Sequence, residues 1–167
     1  MKKYISIAFA AVAMCFGVAG CSVETDEEPG GTNIEKMAGR WEVTVSVVDQ
    51  AGTTLAELGD MDALMTYNTA DNSTDKMWIT DSNDFWAFTM KVDIDYKART
   101  FSCNQVDYDA KGTGQATITN GKILEGAAKN LHGMPNDSIV FDITFSDDEE
   151  PGTIYRIAGQ RYTGFYE

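Results

Sequence analysis

The feature that most constrains the fold is a repeated alternation of apolar and polar residues with a period of two. The clearest runs are WEVTVSV at 41–47 and SIVFDITF at 138–145. Successive side chains of a strand point to opposite faces, so each run predicts a strand with one buried face. Clusters of Asp, Asn, Ser and Gly separate the runs and predict short turns between the strands.

Eight or nine such runs predict an all-β domain. The dipeptide Asn120-Gly121 is typical of a two-residue hairpin turn between two of the strands. Short connections favour an antiparallel meander that closes as a barrel or pairs as a sandwich. The best helix candidate is 53–65, and residues 33–38 could form one helical turn. Further strands are predicted at 63–70, 76–81, 85–95, 99–106, 114–119, 122–128 and 153–158.

The first twenty residues have the layout of a bacterial secretory signal. Two lysines precede an apolar run at 5–18, which is shorter than the ~20 residues that a membrane-spanning helix needs. The sequence V-A-G-C that ends at Cys21 resembles the lipobox of bacterial lipoproteins, in which the cysteine thiol receives diacylglycerol before cleavage. An ordinary signal with a chance cysteine, or an uncleaved anchor, is the alternative. We predict a signal peptide at 1–20, a flexible acidic tether at 21–34 and a barrel domain at 35–167.

A lipidated Cys21 makes a membrane the first expected partner. Two or three acyl chains are enough for stable anchoring. The acidic segment SVETDEEPGGT after the cysteine resembles surface-export signals of lipoproteins in bacteria of the Bacteroides group. We therefore expect a lipid-anchored protein of the bacterial outer membrane that faces the periplasm or the cell surface.

Composition excludes several classes of function. The chain has 13 Lys and Arg against 26 Asp and Glu, a formal net charge of −13. Such an acidic chain repels a phosphate backbone, so we predict no nucleic-acid partner. A single histidine makes histidine-based metal sites hard to assemble, and we assign no metal and no cofactor. After signal removal and lipidation, Cys103 is the remaining cysteine, and its alternating context predicts a core residue.

The start of the domain resembles that of lipocalins and related calycins. A short helical turn there runs into G-x-W, here Gly39 and Trp41. In those proteins the tryptophan plugs one barrel end and an arginine from the last strand covers it, a role that Arg156 or Arg161 would fill. Together with the lipobox, the segment YNTADNSTDKMWITD…FWAF and the ending GQRYTGF, the chain resembles a family of Bacteroides-group lipoproteins labelled lipid-binding putative hydrolases. The resemblance implies a lipocalin-like antiparallel up-and-down β-barrel of about eight strands with a short N-terminal helical turn.

The predicted barrel interior is rich in aromatic and methionine side chains. A barrel of eight strands either fills itself with side chains or holds one small ligand. Our main prediction is a hydrophobic or amphipathic, lipid-like molecule bound inside the barrel. The candidate ligand contacts, with the arginines meeting a head group, are Tyr67, Trp78, Trp86, Phe88, Met90, Phe141, Arg156 and Arg161. The predicted inward-facing sets are Trp86/Phe88/Met90, Met65/Tyr67, Phe101/Cys103 and Ile139/Phe141/Ile143.

Two other functions stay open at this stage. A surface interaction module for glycan or protein would have a solid core and bind through loops such as 50–62 or 130–137. A hydrolase would need His132 as base near Asp137, with Ser138 or another hydroxyl as nucleophile. Adjacent strand residues point to opposite faces, and the G-x-S-x-G motif is absent, so we assign no catalytic residue. The acidic segments 107–112 and 147–150 are weak calcium candidates.

Overall fold

The computed structural model describes residues 30–130 and 132–164. The predicted signal peptide, Cys21 and most of the predicted tether lie outside these residues. Each strand pairs antiparallel with the next, and β8 pairs with β1, so the strands close an up-and-down barrel. This confirms the predicted all-β barrel of about eight strands. The strands are β1 (Gly39–Val48), β2 (Thr54–Asn68), β3 (Lys76–Thr80), β4 (Thr89–Asp95), β5 (Thr100–Asp107), β6 (Gln115–Lys129), β7 (Pro135–Phe145) and β8 (Ile154–Arg161).

The segment before β1 is a hydrogen-bonded turn. The N–H groups of Met37 and Ala38 both donate to the carbonyl of Ile34, at 2.8 and 3.1 Å. Ile34 and Met37 are fully buried, so this turn covers one end of the barrel. The single turn predicted at 33–38 is therefore present among the described residues as a hydrogen-bonded turn, and not as a helix. No helix long and apolar enough to cross a membrane occurs within residues 30–130 and 132–164.

Strand β2 replaces the best helix candidate, so that prediction was wrong. Residues 54–60 are all exposed, including Leu55 at 66% and Leu58 at 53%. The two leucines are exposed, so a helix here would have no buried apolar stripe to stabilise it. The backbone of β1 instead supplies ladder partners, with Ser46 opposite Glu57.

Strand β6 runs without interruption through Asn120-Gly121, where a hairpin was predicted. Asn120 has a φ of +57°, and the register with β7 shifts between Thr119 and Lys122. Both neighbouring strands, β5 and β7, offer ladder partners on either side of this point. The left-handed residue is therefore absorbed as a β-bulge, which bends the strand and increases its twist instead of reversing it.

One continuous cluster of buried side chains fills the barrel. The predicted inward pairs Phe101/Cys103 and Ile139/Phe141 are buried, and burial raises the pKa of the Cys103 thiol. The cluster's large members with less than 2% exposure include Trp41, Phe88, Phe141, Met61, Leu64, Met77 and Met90.

The predicted inward face of β2 was wrong by one residue. Met65 and Tyr67 are each 38% exposed, whereas Leu64 and Thr66 are buried. A shift of one residue moves every side chain of a strand to the opposite face. Thr66 decides which face of β2 is buried, because its hydroxyl accepts the hydrogen bond of the buried Trp41 indole.

Candidate functional site

The antiparallel order divides the turns between two ends of the barrel. The turn 33–37, the start of β1 and the end of β8 lie at one end, which we call the closed end. The turns that follow β1, β3, β5 and β7 meet at the other end, which we call the aromatic end. These turns are 49–53, 81–88, 108–114 and 146–153.

Trp41 plugs the closed end. Its side chain is fully buried, and its indole N–H donates to the hydroxyl of Thr66 at 2.9 Å. That hydroxyl donates in turn to the carbonyl of Met37 at 2.6 Å, which ties the preceding turn to the barrel. The indole therefore satisfies its polar atom within the core while filling the opening.

Arg161, from the end of β8, covers Trp41. Its guanidinium carbon lies 4.5 Å from the centre of the indole ring, and the group also donates to the carbonyls of Lys36 and Ala38. Gly39 makes room for it, because a Cβ at that position would collide with the guanidinium. Of the two arginines considered for this position, Arg161 occupies it.

The aromatic end is closed by a folded-back loop. The loop 81–88 connects β3 to β4 and brings Phe85 and Trp86 over the barrel opening, both half-buried. Trp86 stacks on Phe145 with ring centroids 4.3 Å apart and planes 5° apart. Phe85 meets Tyr155 edge-on at 5.2 Å. We call these four rings the aromatic cluster.

Asp81 holds the loop in place. Its carboxylate is fully buried and accepts the backbone N–H groups of Phe85, Trp86 and Ala87 at 2.7 to 3.1 Å. It also accepts the N–H of Asn83. The predicted strand 85–95 therefore begins only at Thr89, because this carboxylate takes the backbone donors that a ladder would use. Phe88 and Met90 are buried as predicted.

Two tyrosine hydroxyls tie the aromatic end to the acidic turn after β7. Tyr108 donates to Asp147 at 2.6 Å, and Tyr155 donates to Asp148 at 2.7 Å. Burial and the Asp147 carboxylate raise the pKa of Tyr108. Burial, together with Asp148, raises the pKa of Tyr155 to about 12. Two carboxylates of the acidic segment 147–150 therefore accept hydrogen bonds from tyrosine hydroxyls.

We expect Tyr155 to ionise only near pH 12. The folded pKa lies above the ordinary value of about 10, so the bond to Asp148 stabilises the fold fully below pH 10 and progressively less from pH 10 to 12. The measurement is the absorbance at 295 nm of the wild type minus that of Tyr155→Phe, at pH values where circular dichroism stays native. A midpoint near 10 in this difference would contradict the geometry.

The other predicted contacts lie on the outer wall. Tyr67 on β2 pairs with Trp78 on β3, and Lys91 on β4 sits 5.2 Å over the Trp78 ring. Arg156 points outward from β8 and pairs with Asp142 at 2.8 Å. Neither arginine proposed for a head group faces the barrel interior, which Phe141, Phe88 and Met90 occupy.

The residues considered for hydrolysis are engaged elsewhere. The Ser138 hydroxyl donates to the carbonyl of Gly159 at 2.8 Å, and the Asp137 carboxylate binds Arg161 and the Gly126 N–H. His132 is exposed in the turn between β6 and β7. Across the described part of the chain, no three His, Cys, Asp or Glu residues converge as a metal site.

Fold and site together define a lipocalin-like barrel, with a tryptophan of the first strand covered by an arginine of the last. Residues 26–166 match the family described as lipid-binding putative hydrolase. The match spans most of the chain, and the protein belongs to that family. No curated protein matches the sequence significantly.

Proposed function

We propose that this protein is a lipid-anchored protein of the outer membrane that binds a lipid-like molecule at the aromatic end of its barrel. The observation that carries the proposal is the closure of that end by a loop of half-buried aromatic residues, and not by the barrel wall. The family's description as lipid-binding supports the class of ligand. Acylation of Cys21 would hold the domain beside the membrane that supplies the ligand.

The entry point is a small pocket beside the loop. It has a volume of about 130 Å³ and lies between β2 and Phe85, with Val45 and Met61 at its inner side and Leu58 at its rim. Leu58 is 53% exposed, so apolar surface continues from the pocket to the outside. An acyl chain that enters here meets the aromatic cluster once the loop moves outward.

The energetics suit a partly lined site. Each buried methylene group contributes about 0.8 kcal/mol, so about ten of them would supply micromolar affinity. The rim of the pocket carries Asp60 and Asp84. These carboxylates favour a neutral or cationic head group over a phosphate or a fatty-acid carboxylate.

Native mass spectrometry of residues 22–167, purified without detergent, tests this proposal. Leaving out Cys21 removes the acyl chains, so any bound lipid must sit in the domain. We expect an added mass of a few hundred daltons after incubation with an envelope lipid extract. Trp86→Ala should reduce uptake about tenfold, since it removes one stacked aromatic contact.

Trp78→Ala is the matched control, because it removes a half-buried tryptophan from the outer wall. It should leave uptake unchanged. A clean apo mass for the wild type would overturn the proposal. Equal losses in the two variants would place the lipid outside the aromatic end.

A further inference from the structure

A polar groove lies on the outer wall of the barrel, away from the aromatic cluster. It has a volume of about 440 Å³ and is bounded by the outer faces of β6, β7 and β8 and by the turn 49–52. This volume falls within the range of small-molecule sites. Polar side chains line it on both sides: Asp49, Gln50, Thr117, Thr119, Asn120, Asp142, Thr144 and Arg156.

The floor of the groove is a pre-arranged hydrogen-bonded cluster. Arg156 donates from Nε to Asp142 Oδ1 at 2.8 Å and from Nη2 to Oδ2 at 3.0 Å. Asn120 Nδ2 donates to the same Oδ2 at 2.9 Å. Only 7% of the Asp142 side chain is exposed. Burial opposes its ionisation, but the bonds from Arg156 and Asn120 outweigh burial and lower the pKa of Asp142.

Several donors and acceptors of the groove remain unused. Arg156 donates a third N–H, from Nη1, to the Gly52 carbonyl at 2.9 Å. One N–H on each terminal nitrogen is then available to a ligand. Within the described residues, the hydroxyls of Thr119 and Thr144 make no side-chain hydrogen bond. Asn120 reaches the floor because it occupies the bulge of β6, and bulges re-aim side chains at this kind of site.

The charges of the groove disfavour an anionic ligand. The Arg156–Asp142 pair has no net charge, and the wall adds the carboxylate of Asp49. A phosphate or carboxylate ligand would meet a guanidinium that is already neutralised. The planar guanidinium and amide groups and the threonine hydroxyls instead present adjacent donors and acceptors, which match neighbouring hydroxyl groups on one ring. We infer that the polar groove binds a neutral sugar.

The inference is tested by saturation-transfer difference NMR on the full chain in lauryldimethylamine oxide, a detergent without sugar. The probes are D-glucose, D-galactose, D-mannose and N-acetyl-D-glucosamine, with D-glucuronate as an anionic comparison. We expect at least one neutral sugar to bind with a Kd on the order of 1 mM, and glucuronate to bind more weakly.

Three variants separate binding from structure. The double variant Thr119→Val/Thr144→Val keeps the ion pair and should weaken the sugar at least tenfold, as should Arg156→Lys, which loses the fork geometry. Thr54→Val, an exposed threonine outside the groove, should leave binding unchanged. No transfer to any neutral sugar, equal signals in all variants, or tighter binding of glucuronate would overturn the inference.

Discussion

Replacing Asp81 by alanine is expected to lower the free energy of unfolding by about 3 kcal/mol and the Tm by about 10 °C. The carboxylate is fully buried and accepts four backbone N–H groups of the loop 81–88. The loop also contains three non-glycine residues with positive φ, which are Ser82, Asn83 and Ala87. Such backbone is strained and persists only where surrounding bonds hold it. Loss of the carboxylate should therefore release the loop from the aromatic cluster.

Urea unfolding and thermal melts of three variants test this role. Asp81→Asn keeps one oxygen acceptor and should lose about half as much stability as Asp81→Ala. Asp109→Ala is the control, because Asp109 also accepts N–H groups of its own turn, from Lys111 and Thr113, but is only half-buried. Equal effects of Asp81→Ala and Asp109→Ala would contradict the assigned role. The released loop should also speed uptake of envelope lipid in native mass spectrometry.

The sequence predicted correctly which residues of a clearly alternating strand face inward. It gave the wrong local structure where the same residues suit two different ones. The alternation in 138–145 places Ile139, Phe141 and Ile143 inside, and the structure agrees. Asn120-Gly121 favours positive φ, which a hairpin and a bulge both accept. Only the partners of the strand on both sides decide between them, and these are set by the tertiary fold.

The sequence likewise does not determine which residues of β2 face the barrel interior. The run ALMTY offers Leu64 to one face and Met65 to the other, so hydrophobicity alone does not choose between them. The choice follows from the hydroxyl of Thr66, whose partner Trp41 is 25 residues away. Arg156 was a candidate for the head group and for the cover of Trp41, whereas the structure places it on the outer wall, between the buried Tyr155 and Ile157.

The loop at the aromatic end left only a faint signal in the sequence. The tetrad DSND at 81–84 indicates a turn, as clusters of such residues do. Nothing local shows that Asp81 would capture donors as far as Ala87 and fold Trp86 onto Phe145. The candidate site therefore emerges from long-range ring packing, whereas the closed end was predicted from Gly39, Trp41 and the family resemblance.

Replacing Trp41 by alanine is expected to have the largest effect, a loss of about 4 kcal/mol and a fall in Tm of about 15 °C. The indole is fully buried, so its removal leaves a cavity at the closed end. The change also deprives Thr66 of a donor and Arg161 of the ring that it covers. Unfolding in guanidinium chloride measures the loss in free energy of unfolding. The slope of that free energy against denaturant concentration should be the same for the variant and the wild type.

Two further substitutions separate the contributions at this end. Trp41→Phe keeps a ring beneath Arg161 and lets Thr66 go on donating to the Met37 carbonyl, so it should lose about 1.5 kcal/mol. Trp78→Ala removes the same type of side chain from the outer wall, where it is half-buried, and should lose clearly less than Trp41→Ala. If Trp78→Ala were as damaging as Trp41→Ala, the plug would have no special role. The proposed entry of a ligand at the aromatic end requires that the loop be released while Trp41 keeps the closed end folded.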